Sequence, residues 1–172
     1  VCLHHLLGAC HMSVPLRASR VSLSDETRWA LADLFNSLLA DAIDVWSRLK
    51  HAHWNVRGPQ FAMLHDLFDR LASETEEAAD LLAERAAQLG ALARGTVREV
   101  SLATTISISS DPPSPDKSPT NNLAEVVASF ADHLRVAIGR AEQLSEPVSA
   151  DILTEIARAA EKSLWLLEAH RE

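Results

Sequence analysis

Between Lys50 and Arg85 two histidines and three acids are spaced so that one helix cannot bring them all to one point. The stretch reads KHAHWNVRGPQFAMLHDLFDRLASETEEAADLLAER. His65 and Asp69 are four residues apart, as are Asp80 and Glu84, and His53 lies just before a break at Gly58-Pro59. On one helix over residues 61–89, a rotation of about 100° per residue sets His65, Asp69, Asp80 and Glu84 within an arc of roughly 100°. At about 1.5 Å rise per residue, His65 and Glu84 on that shared face are roughly 28 Å apart. No single ion reaches both. The pattern works as a metal site only if a second copy of the helix runs antiparallel to the first. A two-fold axis then brings the His65/Asp69 end of one chain to the Asp80/Glu84 end of its mate.

The 172 residues suit one domain with a substantial core. Hydrophobic residues make up 47% of the chain, glycine is scarce and tyrosine absent, while Ala and Leu dominate the periodic stretches. That composition points to an all-α protein. With 16 basic and 24 acidic residues the formal net charge is -8, which disfavours nucleic acid at long range and favours cations such as Fe²⁺. Cys2 and Cys10 both fall in the first ten residues, so the core needs no disulfide, as in a reducing cytoplasm. No run reaches the ~18 apolar residues of a membrane span, and no basic n-region or cleavage site marks a secretory signal.

Residues 1–21 read as an N-terminal tail, and 22–172 as one four-helix domain. His11-Met12 resembles a cloning junction, with Met12 the natural start and residues 1–11 vector-derived. The competing reading is a metal-binding tail, because Cys2, His4, His5, Cys10 and His11 are plausible zinc ligands, although their spacing matches no zinc pattern.

The first helix is expected to begin near Ser22 to Asp25, where Ser22-x-x-Asp25 resembles a capping box. Leu31, Phe35, Leu38, Ala42, Val45 and Leu49 then recur at alternating steps of four and three, and His53 is next on that stripe. A histidine there is ordinarily a core residue; the nearby His65 and acids make it a ligand instead. His51 points to another face and reads as surface. The second helix starts near Phe61 with Phe61, Leu64, Phe68, Leu71, Ala78, Leu82, Ala86 and Leu89 inward, and Gly90 stops it. Glu74, Glu76 and Glu77 read as a solvated face.

Residues 91–121, rich in Ser, Thr and Pro, read as a long crossover with a short helical turn near 101–106. The third helix is expected over about 122–144, with Leu123, Val127, Phe130, Leu134, Ala137 or Ile138, Ala141 and Leu144 inward and Pro147 as its breaker. The fourth is expected over about 149–170, burying Ile152 or Leu153, Ile156, Ala160, Leu164 and Leu167. A long connection between the second and third of four helices suggests a ferritin-like bundle.

Two imidazoles and three carboxylates suit Fe²⁺, Mn²⁺ or Zn²⁺. An open position at iron admits an oxidant, and anionic ligands favour the Fe³⁺ produced. The bland alternative is that the four-residue pairs are ordinary surface pairs and His53 packs in the core. One shared face, with a histidine at the neighbouring helix end, argues against it.

His53-Trp54-Asn55-Val56-x-Gly58-x-x-Phe61-x-x-Leu64-His65-x-x-Phe68-Asp69, followed by Asp80-x-x-Ala83-Glu84-Arg85, closely resembles the Dps miniferritins, the DNA-protection-during-starvation proteins of the ferritin-like superfamily. The likeness extends over residues 22–172, from Ser24-Asp25 to Lys162-x-x-Trp165-x-Leu167-x-Ala169-His170. Glu-x-x-His pairs, which other ferritins carry within one bundle, are missing from this chain. The resemblance implies a hollow homo-dodecamer with ferroxidase sites at its two-fold interfaces. His53, His65 and Asp69 come from one subunit and Glu84, with Asp80 nearby, from its mate. It implies iron as the metal, oxidation of Fe²⁺ by hydrogen peroxide in preference to dioxygen, and storage of ferric mineral. Trp54 sits where the family keeps a tryptophan beside the iron, and its role is either packing or interception of one-electron oxidants.

The resemblance also implies acidic iron-entry pores at three-fold axes, for which Glu142, Glu146 and Asp151 are candidates, alongside the plainer reading of a solvated turn. DNA binding in the family often uses lysine-rich tails. Here only Arg17 and Arg20 precede the first helix, so DNA binding is expected to be weak and protection chiefly chemical. The location implied is cytoplasmic, nucleoid-associated if DNA is bound, with no membrane partner. Two alternatives remain: a DNA-binding structural protein of the nucleoid with a non-catalytic metal site, and a monomeric or dimeric di-metal oxygenase.

Overall fold

In a computed structural model the described residues, 15–106 and 118–170, form five helices and no strand. They are α1 (Asp25–Asn55), α2 (Phe61–Gln88), α3 (Val97–Ala103), α4 (Pro119–Gln143) and α5 (Pro147–Glu168). α1 and α2 form one tightly packed hairpin, and α4 and α5 a second. α1 packs on α4 and α2 on α5, which closes a four-helix bundle. The short α3 lies in the crossover between the hairpins and packs on α1. The cysteine and histidine cluster of the first eleven residues lies outside the described residues, as do the crossover residues 107–117.

The α1 stripe is buried throughout: Leu31, Phe35, Leu38, Ala42, Val45 and Leu49 are each at most 3% exposed. Leu153 rather than Ile152, and Ala137 rather than Ile138, take the buried positions in α5 and α4. Phe61 departs from expectation. It is 48% exposed, as is the rest of the first turn of α2 before the buried Leu64, and its ring lies near His65 instead. Glu74 departs too: it is half-buried and accepts a hydrogen bond from Ser163, whereas Glu76 and Glu77 are exposed.

Local chemistry sets the helix ends. Ser24, not Ser22, caps α1, accepting from the Thr27 N–H at 3.1 Å. Thr96 and Glu99 form a full capping box on α3, which starts four residues earlier than the turn expected from sequence. Pro119 and Pro147 open helices rather than break them: each occupies the first turn, where no intrahelical N–H bond is lost. α2 ends at Gly90 (φ +92°) with Ala91 N–H bonded to Ala86 C=O and Gly90 N–H to Ala87 C=O. A Cβ there would lie 2.6 Å from Arg17 O and collide with the Arg28 guanidinium, so glycine is required on two counts. Arg28 donates to Leu89 O and Arg17 O, and Arg17 N–H to Gly90 O, which pins residues before α1 to the end of α2.

Candidate metal centre

The C-terminal turn of α1 and the first turns of α2 meet across the bend at Gly58, whose φ of +104° only glycine adopts without strain. There His53 Nδ1 lies 2.9 Å from the backbone oxygen of His65. A carbonyl only accepts, so Nδ1 carries the proton and Nε2 of the neutral ring presents its lone pair. This is the tautomer a metal ligand needs, fixed by a partner behind it. The two imidazoles lie against each other, tilted by 36° with centroids 3.8 Å apart, and the Phe61 ring lies 5.1 Å from that of His65. Asp69 Oδ1 is 3.8 Å from His53 Nε2. The structure therefore sets His53 beside both His65 and Asp69 at the start of α2.

Lys50 stands in the same cluster. Its Nζ donates to Asp69 Oδ1 at 2.6 Å. That hydrogen bond is the main cause of a lowered Asp69 pKa; burial, the next influence, opposes it, and the Lys50 charge, with that of His53 and His65 when protonated, lowers it further. The sequence reading missed Lys50, although it precedes His53 by three residues and so shares its face of α1.

Asp80 and Glu84 are not in this cluster. They lie on the same unbroken helix, exposed, with no hydrogen bond or ion pair to any described residue. The rise from His65 to Glu84 is roughly 28 Å. Among the described residues, no three His, Cys, Asp or Glu side chains of one chain gather into a metal-sized group. Asp80 faces an open groove lined by Leu39, Ile43, Ala83, Ala93 and Gly95, between α2, α1 and the start of the crossover.

Trp54 is 68% exposed, so it plays no packing role in the subunit core. Of the three acids expected at an entry pore, Glu142 and Asp151 are exposed. Glu146 is only 5% exposed, and its position corrects its reading as a surface acid. It accepts from Arg85 Nη2 at 2.9 Å and from the Ser149 N–H at 2.7 Å, capping α5. Burial, the strongest influence on its carboxyl, pushes the pKa up. The bonds from Ser149 and the Arg85 charge together outweigh it, and the net shift is downward. A second buried acid, Asp41 on α1, accepts from the Thr105 N–H at 2.7 Å and from His133 Nδ1 at 2.9 Å, tying the crossover and α4 to α1.

The model of the ferritin-like domain matches residues 32–172. The DNA protection during starvation protein of Agrobacterium fabrum is 34% identical over 148 residues, covering 86% of this chain and 91% of the relative. Among solved structures, the chain is similar to Mycobacterium smegmatis Dps in a tetragonal form, at 32% identity and TM-score 0.83, covering 91% of this chain and 94% of that one. It is also similar to DpsC from Streptomyces coelicolor, at 29% identity and TM-score 0.83, covering 90% and 91%.

Proposed function

The chain belongs to the ferritin-like family and, within it, to the DNA-protection-during-starvation proteins; from that membership and the divided ligand set we propose that it oxidises Fe²⁺ at sites shared between subunits and stores the ferric product. The observation that carries the reading is the placement of His53, His65 and Asp69 at one end of α2, with Asp80 and Glu84 at the other and without a partner among the described residues. A two-fold axis across the middle of α2 superposes the two halves and makes two complete sites per pair of chains. The closed shell built from such pairs is a dodecamer, as the family resemblance implies.

In this reading Fe²⁺ is substrate. His53 offers Nε2 because His65 O holds its other nitrogen. Asp69 remains ionised, and the acids of the second copy neutralise the charge that iron gains. With peroxide the balance is 2 Fe²⁺ + H₂O₂ + 2 H₂O → 2 FeOOH + 4 H⁺: two electrons pass to the O–O bond, and no hydroxyl radical is released. Removal of both reagents protects DNA chemically. Glu142 and Asp151, both exposed, are the candidates for an entry path. No helix among the described residues is long and apolar enough to cross a membrane.

The test is anaerobic addition of Fe²⁺ to the purified oligomer, then peroxide or air, followed by ferric absorbance. Rapid oxidation by peroxide and slower oxidation by air are expected. Oxidation no faster than without protein would overturn the reading and leave a structural role for the site.

A further inference from the structure

The exposed face of α2 is almost wholly acidic, and its one exposed cation is Arg70. Asp66, Asp69, Glu76, Glu77, Asp80 and Glu84 stand out of the bundle on that helix. Neither Arg70 nor Glu77 has a hydrogen bond or ion pair with any described residue. The two are seven residues apart, a rotation of about 700°, so they lie almost on one line along α2 with ~10 Å between them. That line runs roughly 80° to one side of the middle of the arc that holds His65, Asp69, Asp80 and Glu84. A metal offsets the acids that ligate it, but Glu77 is not among the ligands. Two such faces brought together leave it in need of a cation.

We infer that Arg70 and Glu77 form an ion pair between subunits, made twice across each two-fold axis, and that this pair selects the second copy of the chain and the register in which the half-sites align. The inference rests on the shared-site reading above, which sets the register. With His65 opposite the partner's Glu84 and Asp69 opposite the partner's Asp80, Arg70 falls about 3 Å along the helix axis from the partner's Glu77. By symmetry Glu77 lies as near the partner's Arg70. A two-fold axis perpendicular to both helices keeps the two lines on the same side of the contact. The charges therefore meet there, as flanking charges do beside the seam of a helix pair, where they set partner and orientation. A slip of one turn, about 5.4 Å, takes Arg70 off the partner's Glu77 and the histidines off the partner's acids together. Ion pair and ligands thus specify one alignment.

The experiment is charge reversal followed by mixing. Arg70→Glu chains carry an acid at both positions, and Glu77→Arg chains carry a base at both. Each alone sets like charges against each other twice across the axis, whereas a pair made of one of each regains both ion pairs. On a sizing column, with metal-free protein, each single variant should dissociate at a concentration on the order of tenfold higher than the parent. The co-refolded equal mixture, and the double variant Arg70→Glu with Glu77→Arg, should return to the parental value. The defect of the single variants should shrink in high salt. Should a reversed variant fail to fold, Arg70→Gln and Glu77→Gln replace it; their mixed pair regains one ion pair and should dissociate less readily than either alone. A mixture that dissociates as readily as its components would overturn the inference, even if the double variant is restored, because the pair then lies within one chain. Mixing His65→Ala with Glu84→Ala chains separates the two levels. If that mixture regains Fe²⁺ oxidation while the charge-reversed chains gain nothing from mixing, only the ion pair is wrong; if neither mixture recovers, the shared antiparallel pair is wrong as well.

Discussion

The two ends of α2 are built on opposite terms. At its start the polar groups are already assembled within one chain: His53 is aimed by His65 O, the two rings touch at a tilt, and Lys50 holds Asp69. Yet this end is loosely anchored, since Gln60 gives α2 no side-chain cap and Phe61 is largely exposed. At the far end Asp80 and Glu84 carry no partner among the described residues, but the backbone beneath them is locked. Arg85, next to Glu84, is 6% exposed and donates to Ser149 Oγ at 3.0 Å and to Glu146. Gly90 and Arg28 seal the helix one turn later. In the proposed shared site, one half is thus pre-organised through its side chains and the other through its backbone. A site made of two such halves needs no order within either subunit beyond what the bundle supplies.

The largest effect should come from removing one ligand at each end. His65→Ala and Glu84→Ala should each slow protein-dependent Fe²⁺ oxidation on the order of a hundredfold. Mixing the two inactive variants is the sharper test. In a mixed pair one site lacks both ligands and the other lacks neither, so random reassembly should restore about a quarter of the sites. Rates of the co-refolded mixture measure this directly. A mixture as inactive as its components would mean that each site is built within one chain.

A smaller effect concerns the anchor. Glu146→Gln leaves the Arg85 guanidinium buried without its counter-charge, and should cost about 3 kcal/mol of stability at neutral pH. The sign with pH follows from the lowered Glu146 pKa: the carboxylate's contribution is present above its ordinary value of 4.5 and is lost as pH falls through the lower folded value. Urea unfolding of parent and variant at equal protein concentration should therefore converge in strong acid. A difference that persists undiminished there would show that Arg85 is held by Ser149 and packing rather than by charge.

The comparison also explains what a sequence yields. Apolar periodicity dictates which face of each long helix is buried, so the stripe from Leu31 to Leu49 was legible, and so was the sharing of one face by His65, Asp69, Asp80 and Glu84. Phe61 satisfies the same rotation but misses the core, because periodicity gives direction and not where the bundle ends. Pro119 and Pro147 look like breakers because proline opposes a helix interior and suits its first turn equally well. Contacts between residues distant in sequence left no signal. His133 lies 92 positions from Asp41, and Glu146 lies 61 from Arg85, and a charged residue in isolation reads as solvated.

The smallest effect tests how firmly the turn behind that anchor is made. α4 ends as α2 does, with Glu146 N–H bonded to Ala141 C=O and Ser145 N–H to Glu142 C=O. The residue in the left-handed position is Ser145, at φ +55°, where α2 uses glycine. A left-handed non-glycine residue costs roughly 1–2 kcal/mol, while glycine loses part of that gain by loosening the unfolded chain. Ser145→Gly should therefore stabilise the protein by about 0.5–1 kcal/mol, measured by urea unfolding beside Glu146→Gln. The substitution relaxes the backbone and touches neither partner of the ion pair, so it should leave the Glu146→Gln penalty unchanged in the double variant. Non-additivity of the two would mean that the strained turn, and not the helix cap alone, positions Glu146 under Arg85 and with it the exposed Glu84.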